Sequence, residues 1–301
     1  MIAAVFTTPG GPEQIELIEV DVPVPGAGEV LIQVAAAAVN PVDLQTRGGI
    51  YHDFGWVHQP EHTGLGWDVA GIVTAVGADV DPAWVGRRVA ALAAGVDRAL
   101  GAYAESVVVP VTAVAGVPET LELVAAATVP LNALTADQAV ESLGEAGGTL
   151  VVTGAAGGVG GYALSSAADR GWSVIGLARE SDSAFVEGAG ARLVTDLSAL
   201  SEQVAAVVDA AGLREAALAV VADRGRYVGL SPAAPVEAVR GITSSDVFVT
   251  ADADGLAAAL RRTADGVLPA RIAREFPLRD AADAHRLLEQ GAVRGRIVLR
   301  P

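Results

Sequence analysis

The residues best suited to chemistry lie between Gly148 and Arg179: G-T-L-V-V-T-G-A-A-G-G-V-G-G-Y-A-L-S-S-A-A-D-R-G-W-S-V-I-G-L-A-R. Thr149 to Val152 read as a strand buried on both faces. Gly154 to Gly161 carries five glycines in eight residues, and Tyr162 to Arg170 continues as a helix whose small side chains allow close packing on a sheet. Gly171 stops that helix, and Ser173 to Leu177 form the next strand. Amides at the start of such a helix, with its dipole behind them, are suited to a pyrophosphate. In the G-x-G-x-x-G register Ala155 takes the first place, Gly157 the second and Gly160 the third, with Gly154 one residue early. Glycine is 35 of 301 residues, so the pattern carries weight only through its position between strand and helix. The alternative is an ordinary glycine-rich turn.

The second strand says which dinucleotide to expect. An NAD site places an Asp or Glu about 20 residues past the glycines, on the ribose hydroxyls. Here the strand ends in Leu177-Ala178 and then Arg179. A guanidinium offers charge-assisted bidentate hydrogen bonds to a 2′-phosphate, and Ser181 adds a hydroxyl, so NADPH is the expected cofactor. A strand ending one or two residues later would instead bring Glu180 to a ribose.

Composition bounds the rest. A chain of 301 residues, 51% hydrophobic and 19% charged, can fill two domains. The 36 acids against 20 bases give a net charge of −16, and every base is arginine. Such a surface repels nucleic acid and anionic membranes, so neither is expected as a partner. There is no cysteine, which excludes disulfides and thiolate zinc sites. Of the four histidines, His52, His58 and His62 fall in a Pro/Gly-broken loop, and no metal site is expected from them or from His285. The start of the chain has no basic, apolar leader pattern, so a cytoplasmic location is expected.

Two sets of elements must position these residues. The first 115 or so read as short strands, Ala3–Phe6, Ile15–Val20, Val30–Ala38, Val69–Val76, Arg88–Leu92 and Ala104–Val109, which suggests a small barrel or sandwich. Asn40 to Trp67 is irregular and aromatic. Helices are expected at Leu121–Thr128 and Leu131–Leu143. After the glycine unit, helix Ser183–Gly188, strand Arg192–Thr195, helix Leu197–Gln203, strand Ala205–Ala210, helix Leu213–Val221 and strands Arg226–Gly229 and Asp246–Thr250 describe a doubly wound parallel sheet. Ligands lie beyond the carboxyl ends of such strands, which brings in Thr153, Ala178, Asp209–Gly212 (Ala211 among them) and Leu230–Ser231. The tail reads as helix Asp254–Ala264, strand Ile272–Phe276, helix Ala281–Gln290 with Asp280 as N-cap and Gly291 as stop, and strand Gly295–Leu299. Boundaries are expected near residues 118 and 251, giving one domain of 1–118 with 252–301 and another of 119–251.

Several stretches together carry a family resemblance over nearly the whole chain. They are A-A-A-A-V-N-P-V-D at 35–43, G-W-D-V-A-G-I-V-T-A-V-G at 66–77, V-G-R-R-V at 85–89 and G-A-Y-A-E at 101–105. L-N-A-L-T-A at 131–136, T-G-A-A-G-G-V-G at 153–160, F-P-L-R-D-A-A-D-A-H-R-L-L-E at 276–289 and R-G-R-I-V-L at 294–299 complete the set. The chain resembles the zinc-independent medium-chain dehydrogenase/reductases, the quinone oxidoreductase or zeta-crystallin-like group. The resemblance implies a GroES-like β-barrel domain, a Rossmann domain, NADPH in the cleft between them, and a homodimer. It implies that Asn40 and Thr135 lie near the nicotinamide, that Gly157, Gly158 and Val159 face the pyrophosphate, and that Phe248–Thr250 pass the carboxamide by backbone. Tyr51 matches a tyrosine lining the substrate cleft. Zinc ligands of other branches are replaced by Val39-Asn40 and Gly66-Trp67-Asp68. Three departures stand out: Gln45 and Leu197 where relatives have tyrosines, and a short loop after Leu230 through Pro232-Ala233-Ala234-Pro235.

With no thiolate zinc site to polarise a ketone, the expected acceptors are already electrophilic, quinones or double bonds conjugated to a carbonyl. Asn40 and Tyr51 are the candidates for the developing oxygen, against readings as a turn residue before Pro41 and as aromatic packing. An enoyl-thioester reductase ranks second, with Arg47 and Arg98 for a phosphopantetheine arm. A non-catalytic protein on the same fold is the third reading.

Overall fold

The computed structural model describes every residue except 232–234, 269 and 292. The chain divides into two compact units, Met1–Leu131 with Ala251–Pro301, and Asn132–Thr250.

In the first unit the central strand is Glu29–Val39, eleven residues long. Its alanines 35–38 carry little bulk, so neighbours approach on both edges. One edge pairs with Asp68–Val76 throughout; the other pairs first with Ser106–Pro110 and then with the returning tail, Arg296–Arg300. A sheet of order 272–277, 296–300, 29–39, 68–76, 88–92, 114–116 results, and a smaller one joins Glu16–Glu19, Ile2–Phe6 and Thr63–Gly64. Phe6, Ile32, Val69, Val89, Tyr103, Leu278 and Ile297 fill the core between them. The irregular stretch contains two helices, Pro41–Gly48 and Ile50–Asp53, split by Gly49 at φ +94°.

The second unit is a six-stranded sheet in which every neighbouring pair runs parallel. Its order is Arg192–Val194, Ser173–Leu177, Thr149–Thr153, Val204–Asp209, Val221–Gly229, Thr243–Asp246. In chain order that is 3-2-1-4-5-6, with the reversal between the 149–153 and 204–209 strands. Leu150 and Val152 pack into one core layer and Val151 into the other, as strands buried on both faces require.

Two expectations are corrected. The last strand is Thr243–Asp246, not Asp246–Thr250: Val247 N–H closes on the Gly229 carbonyl at 3.0 Å, and the apolar residues beyond leave the sheet. Polar Thr243–Ser245 suit an edge position. The expected helix Leu197–Gln203 is only a 3-10 turn, Leu197–Ala199, because the Asp196 carboxylate accepts from Ser198 N–H and stabilises a local turn instead. Asp280 does take the N-cap position of the helix Ala281–Glu289, where it also closes a preceding 3-10 turn, but its side chain makes no capping hydrogen bond. The loop at 232–234 lies outside the described residues.

Asp209 shows how tightly the second unit is tied at its strand ends. Its carboxylate is buried and accepts from Thr153 Oγ1 at 2.5 Å, Leu213 N, Arg214 N and Tyr227 Oη at 2.9 Å. Asp209→Ala strands all four donors and should cost about 3–5 kcal/mol. A urea unfolding midpoint equal to that of the unmodified protein would contradict this.

Candidate active site

The glycine turn starts where the 149–153 strand ends. Gly154 takes φ +58°, a left-handed conformation natural to glycine. Gly157 N–H donates to its carbonyl at 2.8 Å, and Ala155 N–H ties the turn to Leu177 O at 3.0 Å. The helix Gly158–Asp169 begins with Gly157 as N-cap. A Cβ at Gly157 would lie 2.9 Å from Gly154 O, and one at Gly160 only 2.2 Å from it. Position 160 is therefore glycine because helix and turn touch there through backbone. The amides of the first helical turn have no acceptor within the helix and can take an anion. Gly157 is exposed, and Gly158 and Val159 are half-buried. Ala155, the misfit to the fingerprint, is accommodated by its neighbour: a Cβ on Gly176 would come within 2.9 Å of the Ala155 methyl.

The next strand ends at Leu177. Arg179 follows, exposed, with Glu180–Asp182 forming a 3-10 turn that includes exposed Ser181. Ala211 lies against the glycine turn, its N–H donating to Thr153 Oγ1 at 2.9 Å. Thr135 is buried on the helix Pro130–Ser142. Phe248 is 63% exposed. Gln138 of the same helix brackets Thr250, donating to its carbonyl at 2.8 Å and accepting from its N–H at 3.0 Å. The structure thus brings Gly154, Ala155, Gly157, Gly158, Val159 and Ala211 to one corner of the sheet. Arg179 and Ser181 stand at the neighbouring strand end.

Asn40 and Tyr51 belong to the first unit, and Asn40 enters a buried polar cluster. Its Nδ2 donates to Asp68 Oδ2 at 2.9 Å and to Ala38 O at 3.3 Å, while Oδ1 accepts from Arg296. Asp68 Oδ1 accepts from Leu131 N–H at 2.6 Å, and Arg296 stands 4.0 Å from Oδ2. Asp43 accepts from the amides of Asn40 and Gly66 and from Tyr103 Oη at 3.1 Å. Burial pushes the Asp43 carboxyl up to about 7 and that of Asp68 to about 6. Arg47 can only donate, so His285 Nδ1, 3.1 Å away, is the acceptor and Nε2 carries the proton towards Tyr103 Oη at 3.3 Å. Burial, aided by the Arg47 charge, lowers His285 to about 3. Sequence reasoning missed Asp43, Tyr103 and His285 as a group. Its only signal was that each lay inside a quoted motif.

Tyr51 lies against this cluster's helix rather than in it. Its hydroxyl donates to Gln45 Oε1 at 2.9 Å and its ring stacks on Trp56. Burial and the Asp43 charge raise its pKa, which keeps the phenol protonated at neutral pH.

Comparison with known proteins reaches residues of both units. Residues 26–119 match the alcohol dehydrogenase GroES-like domain family, and residues 183–299 the zinc-binding dehydrogenase family. The chain is 30% identical to the chloroplastic NADPH-dependent alkenal/one oxidoreductase of Arabidopsis thaliana, covering 100% of this chain and 80% of that protein. It is 32% identical to a quinone oxidoreductase of Pseudomonas aeruginosa, covering 98% of each. The solved quinone oxidoreductase of Coxiella burnetii superposes with a TM-score of 0.87 at 27% identity, covering 100% of this chain and 99% of that one. The chain belongs to the quinone oxidoreductase group of the medium-chain dehydrogenase/reductases, a family of oxidoreductases with a GroES-like and a Rossmann-like domain.

Zinc, named in one of those family descriptions, does not fit the residues present. No thiolate is available, both His285 nitrogens are engaged within the protein, and His58 pairs with Asp97 at the surface. Among the described residues no group of three or more histidines and carboxylates is arranged to hold a metal ion. Nor, among those residues, is any helix long and apolar enough to cross a membrane.

Two outcomes are expected. Gly160→Ala forces its methyl into Gly154 O and should destabilise by about 1–3 kcal/mol in urea unfolding; an unchanged midpoint would contradict the close contact. Asp43 and Asp68 carry stability that is present below the ordinary carboxylate range and lost as pH rises through about 6 to 7. His285 carries stability present above 6.5 and lost as pH falls towards about 3. The two oppose each other between about pH 4 and pH 6.5, so over that range Asp43→Asn should make acidification more destabilising by up to about 1.4 kcal/mol per pH unit. His285→Gln should do the reverse. Parallel stability–pH curves for the three proteins would rule out these ionisations.

Proposed function

We propose that the protein is an NADPH-dependent reductase of quinones or of double bonds conjugated to a carbonyl. The observation that carries this reading is the glycine turn. It meets the reversal point of a 3-2-1-4-5-6 sheet, its helix starts in close main-chain contact with Gly154, and the first-turn amides of that helix are suited to a pyrophosphate. The strand ending at Leu177, followed by exposed Arg179 and Ser181, supports a 2′-phosphate on the adenosine side.

The chain's own residues divide the work as follows. Gly154, Ala155, Gly157, Gly158 and Val159 would hold the pyrophosphate, with Ala211 beside them. Thr135 and the segment Phe248 to Thr250 would hold the nicotinamide end. Gln138 holds both main-chain groups of Thr250, which fixes the course of that segment. When bound, the reduced cofactor would supply a hydride to the acceptor's electrophilic carbon, with the balancing proton taken from water. Orientation and hydrogen bonds to the charged oxygen are then what the protein contributes. Asn40 has both amide hydrogens committed to Asp68 and Ala38, so it acts by anchoring the start of its helix. Tyr51, protonated at neutral pH, remains the candidate on the acceptor side.

The enoyl-thioester reading is less well supported. Arg47 is buried against Gly10 O, His285 and Glu289, and Arg98 clamps the carbonyls of Ala93 and Val108. Neither serves a phosphopantetheine arm. The non-catalytic reading would be favoured by a blocked turn, and Gly157 is exposed.

Steady-state NADPH oxidation against quinones, enones and enoyl thioesters tests the activity directly. Arg179→Ala should raise the NADPH Michaelis constant about ten- to a hundredfold while leaving that for NADH nearly unchanged. Equal effects on the two cofactors would contradict the 2′-phosphate assignment.

A further inference from the structure

The Tyr51 phenol has one proton, and that proton is already given to Gln45 Oε1 at 2.9 Å. This bond holds the Gln45 carboxamide by its oxygen and leaves Nε2 as its donor end. Among the described residues Gln45 Nε2 has no hydrogen-bond acceptor, and Gln45 is only half-buried. An aromatic surface continues from the same tyrosine. Tyr51 stacks on Trp56 with ring centroids 5.7 Å apart, and Phe54 lies 5.4 Å from Trp56. Phe54 and Trp56 are 49% and 38% exposed, and neighbouring Ile50 is 38% exposed. An open apolar, aromatic patch flanked by a fixed, unclaimed amide donor is a recognition pattern for a flat, uncharged ligand bearing a carbonyl.

We infer that Gln45 Nε2 is the donor to the acceptor's carbonyl oxygen, that Tyr51 positions it, and that the acceptor is a flat aryl-conjugated carbonyl resting on Trp56 and Phe54. This rests on the reductase reading given above. It assigns the two residues different roles: Gln45 touches the substrate, and Tyr51 acts through Gln45. Small aliphatic enals and charged thioesters leave the aromatic patch uncovered and are poorer substrates.

The test uses the full chain with naphthoquinone, benzylideneacetone and crotonaldehyde as acceptors. Binding of naphthoquinone without cofactor is read by quenching of tryptophan fluorescence, and turnover by NADPH oxidation. Gln45→Leu should lower kcat/KM for naphthoquinone and benzylideneacetone about ten- to a hundredfold, with the dissociation constant for NADPH unchanged. Tyr51→Phe should lower it about threefold, since Gln45 stays in place but is held less firmly. Gln45→Asn, which keeps the amide on a shorter stem, should recover part of the loss in kcat, a result that a purely structural role for Gln45 does not give. Trp56→Ala should lower kcat/KM for naphthoquinone and benzylideneacetone more than for crotonaldehyde. A Tyr51→Phe loss equal to or larger than that of Gln45→Leu would overturn the assignment, as would equal turnover of crotonaldehyde and benzylideneacetone. Failure of the unmodified protein to oxidise NADPH with any acceptor, while still binding naphthoquinone in a Gln45-dependent way, would instead overturn the reductase reading and leave the ligand site standing.

Discussion

One carbonyl oxygen sets the geometry of the second unit. Gly154 O stands where any side chain at 157 or 160 would have to go, so at those two positions the helix meets the turn through main chain. That contact fixes which amides face outward and which strand end they face. The layer beneath follows: the Ala155 methyl fills the space that Gly176 leaves, with Leu164 and Val186 closing round it. A larger residue at any of these places would lift the helix and take the amides with it.

The first unit rests on a different kind of constraint, the satisfaction of buried charge. An ionised carboxylate taken out of water without partners costs several kcal/mol. Asp68 meets that cost with an amide at the start of the helix Pro130–Ser142, the Asn40 carboxamide and the Arg296 guanidinium. Asp43 meets it with two main-chain amides and a phenol. Their partners come from residues 40, 66, 103, 131 and 296, so the cluster fastens the returning tail to the segment that precedes the second unit. Arg47 extends it to His285 and Glu289 on the final helix.

The second unit was far more legible in the sequence than the first. Glycine spacing, a doubly apolar strand and a following alternation of elements are local signals, and they led to a parallel sheet and to a strand ending at Leu177. The edge strand was misplaced because Val247-Phe248-Val249 carries the stronger β signal, while pairing with the 221–229 strand selects the polar residues before it. The helices at 41–53 were hidden by Pro41, Gly48 and Gly49, which read as breakers yet serve as first-turn proline and left-handed stop. The acid–tyrosine–histidine chain was not legible at all, since its members lie 60 and 182 residues apart. The Gln45–Tyr51 bond is close in sequence, but nothing in residue type says that the phenol's proton points at the amide.

Calorimetric titration of the unmodified protein with NADPH and with NADH, under one set of conditions, bears most directly on the central claim that the glycine turn and Arg179 together receive a phosphorylated dinucleotide. The account predicts one site per chain and binding of NADPH at least about tenfold tighter than NADH. No measurable binding of either, or tighter binding of NADH, would contradict it.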